Sequence, residues 1–154
     1  MSRAGMPEPM AKRLGYALKR AQHAFRALMD DGLRPLDLSA AQYAVMSAVE
    51  LEPGLSNATL ARAAFVTPQA MQGVIVNLER VGLIVRSADP SHGRILRTEL
   101  TPRGRRALAK AHDVAARVEA LMVAAVGAKE ADHMAALLTR CADRLTGEAA
   151  GATA

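Results

Sequence analysis

From Thr67 to Gly104 the chain reads TPQAMQGVIVNLERVGLIVRSADPSHGRILRTELTPRG. Thr67 is a good helix N-cap, and Pro68 stands at the first helical position, where its missing N–H removes no bond. The apolar spacing that follows predicts an amphipathic helix ending at Gly82, with Ala70, Val74, Ile75 and Leu78 turned to the core. Leu83 to Ser87 and Ile95 to Leu100 read as short strands around an Asp89–Gly93 turn. A capped helix followed by a basic two-stranded wing can offer one element to the major groove of duplex DNA and another to the minor groove.

The flanking sequence predicts more helix. A first helix is expected from Met10 to Asp31, with Leu14, Leu18, Ala21, Phe25, Leu28 and Met29 on one apolar stripe and Gly32 as its terminator. Leu33 to Leu38 is a connector. Ser39 caps a second helix, Ala40 to Leu51, which Pro53-Gly54 breaks. Ser56 caps a short third helix from Asn57 to about Ala64. Thr101-Pro102 opens a fifth helix reaching about Val126. Gly127 interrupts, and a sixth runs from about Lys129 to Leu145. Residues 1–9 and 147–154 are expected to be disordered. The fold class is therefore mainly α with a small β-wing. Residues 39–102 form a winged helix-turn-helix lobe for DNA binding. Residues 10–38 and 103–146 form a helical dimerisation region. The terminal helices carry apolar stripes too wide for lone helices in water, which predicts a two-fold homodimer.

Charge points to the same lobe. Between Pro53 and Lys110 stand nine basic and three acidic residues, while the rest of the chain has eleven and twelve. The whole excess of +5 thus belongs to the central lobe, as expected for a surface that meets a polyanion. A merely solvated basic face is the alternative. The chain has no Trp, two Phe and two Tyr, too few aromatics for a base-stacking single-strand binder. The one cysteine, Cys141, cannot form an intrachain disulfide and suits a reducing cytoplasm. No apolar run is long enough to span a bilayer, and residues 1–13 lack the apolar core of a signal peptide. His112, His133 and Cys141 match no metal-ligand spacing. There is no phosphate-binding glycine loop, HExxH or GxSxG. The expectation is a cytoplasmic chain that is not an enzyme, with no catalytic residues, no metal and no cofactor.

Three pieces of sequence carry a family resemblance. They are Thr67-Pro68, the run Leu78-Glu79-Arg80-Val81-Gly82-Leu83-Ile84, and the series Asp89, Arg94, Leu100-Thr101 and Gly104. Together they resemble the MarR family of bacterial transcription regulators over almost the whole chain. The resemblance implies a homodimeric repressor on a pseudo-palindromic double-stranded operator, with small aromatic or phenolic acids as effectors. Thr67, Pro68, Gln69 and Gln72 then occupy the first turns of the recognition helix. Gln can pair with adenine, and Thr can meet a thymine methyl or a phosphate. Gln72 stands where the family often has arginine, which shifts readout toward amide contacts. By the same resemblance Arg94 enters the minor groove from the wing tip and Asp89 orients the wing through an arginine. Gly93, preceded by His92, replaces a second basic residue that is frequent there. Arg86 and Arg97 are candidate phosphate contacts. Tyr16, Arg20, His23 and Tyr43 are candidates to bind the effector between the first two helices. Cys141 lies in an apolar stripe and reads as an inert thiol. The competing functional classes are a winged-helix module that binds protein and a non-specific architectural DNA binder.

Overall fold

The computed structural model describes residues 10, 12–91, 93 and 96–151. The elements are α1 (Leu14–Leu33), a 3-10 turn (Arg34–Leu36), α2 (Ala40–Leu51), α3 (Asn57–Ala63), α4 (Pro68–Arg80), β1 (Ile84–Ala88), β2 (Leu96–Leu100), α5 (Pro102–Val126) and α6 (Ala128–Gly151). They divide into two compact units, Met1–Ala115 and Ala116–Ala154. The first unit is a winged helix-turn-helix with α1 and the start of α5 attached. No helix among the described residues is long and apolar enough to cross a membrane.

Local chemistry explains most boundaries. Ser39 Oγ accepts from Gln42 N, and Gln42 returns the bond to the Ser39 N–H, a complete capping box. The Gln42 amide also reaches Asn77 Oδ1 at 2.7 Å, tying α2 to α4. Ser56 caps α3 through Thr59 N, and Thr67 caps α4 through Ala70 N. At the other end of α4, Gly82 takes φ 72°, with Gly82 N bonded to Glu79 O and Leu83 N to Leu78 O. That is a Schellman termination, whose left-handed residue favours glycine.

The strands pair antiparallel from Ile84 opposite Leu100 to Ala88 opposite Leu96. Thr101 locks the root of this wing. Its backbone N–H bonds Leu83 O, its hydroxyl donates to Gly82 O at 2.7 Å, and it accepts from Gly104 N at 2.9 Å as the cap of α5. Gly104 lies directly on the Leu83 carbonyl, where a side chain would collide with backbone. Met46, Leu60, Met71, Leu78, Ile84 and Leu108 are fully buried and form the centre of this unit.

Three expectations are corrected. Gly32 does not end the first helix, which continues to Leu33. It allows close helix approach instead, because a Cβ there would strike Val114 of α5. Ala70 is exposed and Met71 is buried in its place. The inward stripe of α4 is Met71, Val74, Ile75 and Leu78, the set that keeps helical spacing. The last helix passes Leu145 and runs through 147–151, part of the expected disordered tail. Thr146 Oγ1 bonds Ala142 O, and Arg144 pairs with Glu148 one turn on. One glycine in an alanine-rich run, Gly147, costs only about 1 kcal/mol and does not stop it.

In the second unit, Gly127 (φ 89°) separates the end of α5 from α6. Leu121, Met134, Leu137 and Leu145 are exposed there, as are Leu14, Leu18 and Leu28 on α1 in the first unit.

Candidate nucleic-acid interface

The outer face of α4 follows from its inner one. With Met71, Ile75 and Leu78 committed to the core, a period of 3.6 turns Gln69, Gln72, Gly73, Val76 and Arg80 to the opposite side. All five are exposed, as are Thr67 and Pro68 at the helix start. Thr67 spends its hydroxyl on the Ala70 N–H. Pro68 O accepts from Asn57 Nδ2 at 3.1 Å, fixing the start of α4 against the start of α3. Gln69 and Gln72 make no side-chain hydrogen bond among the described residues, so both amides can meet an external partner. Arg80 makes no ion pair or hydrogen bond there either.

The basic residues behind this face have internal work. Arg86 donates to Glu79 Oε2 from Nε at 3.1 Å and from a terminal nitrogen at 2.7 Å. The pair is partly buried and joins β1 to the last turn of α4. Arg103 donates to Val81 O, where a cation complements the negative end of the α4 dipole. Arg105 donates to Leu100 O. Arg97 lies across the Gly54 turn, 4.0 Å from Asp89 Oδ2 and 3.9 Å from Glu99 Oε1. Its Nε is buried without a hydrogen-bond partner. Asp89 also accepts the Ser91 N–H at 2.7 Å and so shapes the wing turn. Arg94 and His92 lie outside the described residues.

The four residues expected to hold an effector are not drawn together by hydrogen bonds. Arg20 and His23 are exposed, and Tyr16 is half-buried. Tyr43 instead meets His112 Nδ1 at 3.0 Å, and His112 Nε2 meets Glu50 at 2.9 Å, linking α2 to α5. A cavity of about 270 Å³ opens nearby, lined by Val49, Glu50, Pro53, Arg97, Glu99, Leu100 and Arg105. None of the four lines it. Among the described residues, no group of three His, Cys, Asp or Glu side chains could hold a metal ion.

Sequence reasoning passed over Val76 and Arg80 on the outer face, the Glu79 partner of Arg86, and the Tyr43–His112–Glu50 chain. Val76 and Arg80 were available from helical period once Met71 rather than Ala70 set the inner stripe. The Arg86–Glu79 pair joins two elements, and the Tyr43–His112–Glu50 chain depends on pairing across 62 and 69 residues, for which one sequence carries no signal.

Comparison with known proteins gives consistent matches. A model described as MarR family matches residues 36–95. The HTH-type transcriptional repressor Rv2887 of Mycobacterium tuberculosis is 38% identical over 117 residues, which cover 76% of this chain and 84% of the repressor. The crystal structure of the same Mycobacterium tuberculosis protein with p-aminosalicylic acid matches with a TM-score of 0.71 at 34% identity, over 84% of this chain and 98% of that one. The transcriptional repressor CouR, bound to a 23-mer DNA duplex, matches with a TM-score of 0.81 at 30% identity, over 92% and 99%.

Proposed function

This chain belongs to the MarR family, and from that premise we propose that it is a sequence-specific regulator of transcription that binds double-stranded DNA as a homodimeric repressor. The observation that carries the reading is the outer face of α4, where two amides and an arginine without partners among the described residues, and a glycine, stand exposed on a helix whose other side is locked into the core. CouR, of similar fold, is bound to a DNA duplex in its structure. Thr67, Pro68, Gln69 and Gln72 enter the major groove, and the wing, through Arg94, enters the minor groove, where a narrow groove attracts a guanidinium. Asp89 and Arg97 hold the wing in shape. Arg86, engaged by Glu79, contributes mainly by fixing β1 against α4, with phosphate contact a secondary use of its remaining donors. The protein carries out no covalent chemistry. It acts in the cytoplasm, the compartment that holds bacterial DNA.

The apolar side chains left exposed on α1 in the first unit and, in the second, on the end of α5 and on α6 are surfaces that a second copy can cover. Regions 10–38 and 103–146 therefore dimerise, and 39–102 binds DNA. A two-fold dimer selects inverted repeats with half-sites about one helical turn apart, whereas a monomer selects single half-sites. Rv2887 has been crystallised with p-aminosalicylic acid, which supports a small aromatic acid as the signal that releases DNA. Tyr16, Arg20, His23 and Tyr43 remain the proposed effector residues. Tyr43 would carry the signal through His112 to α5.

Salt titration tests the DNA interface. Affinity should fall steeply as salt rises, because each neutralised phosphate releases counterions. Arg94→Ala should weaken binding about tenfold and reduce the slope by about one per protomer. Unchanged affinity and slope in Arg94→Ala would remove the wing from the interface.

A further inference from the structure

Val76 occupies the middle of the outer face of α4, one turn after Gln72 and one turn before Arg80. It is 48% exposed. A β-branched residue on the open side of a helix gains little from burial and lowers helix propensity. Beside it, Gly73 has nothing within 4 Å of where a Cβ would stand. It too stands in a helix interior without packing demand, where glycine lowers helix stability. An apolar methyl pair and an open backbone thus lie side by side, framed by the exposed amides of Gln69 and Gln72.

We propose that Val76 is a specificity-determining residue that packs on the 5-methyl group of a thymine in each operator half-site. The inference rests on the DNA-reading role of α4 proposed above. In the major groove the thymine methyl is the apolar feature of the base edges, and adenine is the base that a glutamine amide pairs with bidentately. Gln72 and Val76 are about 6 Å apart along the helix axis. With α4 lying along the groove, that distance is about two base-pair steps. The half-site therefore carries an adenine read by Gln72 and, about two steps away, a thymine read by Val76. The missing side chain at Gly73 lets the base edges between them come close.

The test uses a randomised duplex library, from which the wild-type protein and Val76→Ala each enrich binders. The wild-type consensus is then remade with deoxyuridine for each thymine in turn, which deletes only the methyl group. The expected result is one thymine per half-site at which this change weakens wild-type binding about fourfold, the worth of one buried methyl-sized group. Val76→Ala should bind the thymine and deoxyuridine duplexes equally well. Val76 is exposed, so the variant should fold, and its circular dichroism and melting curve verify that. If a consensus emerges but no deoxyuridine position matters, or Val76→Ala keeps the same sensitivity, the thymine assignment is overturned while specific DNA binding stands. If neither protein enriches any sequence, the DNA-reading role and the assignment fall together.

Discussion

Gly104→Ala should lower the stability of the fold by about 3 kcal/mol or more. The added methyl would land on the Leu83 carbonyl, with the carbonyl carbon 2.9 Å away and Leu100 Cδ2 at 3.4 Å. A flexible side chain could turn aside, but a backbone carbonyl that also accepts the Thr101 N–H cannot move without opening the wing root. Helix propensity acts the other way and is outweighed, since alanine gains only about 1 kcal/mol over glycine in a helix. Gly73→Ala isolates that contribution. Nothing lies within 4 Å of its new methyl, so the variant should be more stable by about 0.5–1 kcal/mol. Urea unfolding of the two variants reads both effects. A loss below about 1 kcal/mol at Gly104, against an overpacking cost normally of about 1–3 kcal/mol, would mean that the start of α5 does not rest on Leu83 as described.

Gln69→Ala combined with Gln72→Ala should weaken binding to the operator at least about thirtyfold per half-site. Each bidentate amide–adenine pair discriminates by about 1–3 kcal/mol, and the two together by at least about 2 kcal/mol. Binding to arbitrary duplex should change little, because both side chains are neutral and non-specific affinity comes from phosphate contacts. Competition of operator and unrelated duplex for the variant gives both numbers. Equal losses on the two duplexes would contradict base readout by α4, and so would a loss of less than about threefold on the operator.

How much of this fold is legible in the sequence depends on the range over which each interaction acts. Caps and breakers act within a few residues, so Ser39, Thr67 with Pro68, and Gly82 mark their boundaries in the sequence itself. The wing is read from short alternating strands and an Asp-Pro turn. Long-range packing is less accessible. Gly32 looks like a terminator because a glycine at a helix end and a glycine at a helix crossing are the same residue. Only the approach of Val114 separates them. Ala70 and Met71 are both apolar, and the choice between them rotates the whole outer face of α4, which is why Val76 and Arg80 emerged only with the fold. The partners of Arg86 and Tyr43 likewise come from other elements. Arg86 has the charge of a phosphate contact, yet Glu79 claims it. Tyr43, grouped with residues of α1 by helix proximity, bonds across to α5 through His112.

If this protein reads an inverted repeat in duplex DNA, it should select that repeat from its own genome. The most direct measurement incubates the purified protein with sheared genomic DNA at near-physiological salt and sequences the fragments it retains. The expected result is a small set of fragments that share an inverted repeat, with half-site centres about one helical turn apart. Retention of unselected DNA, or of none, would contradict sequence-specific binding by a two-fold dimer.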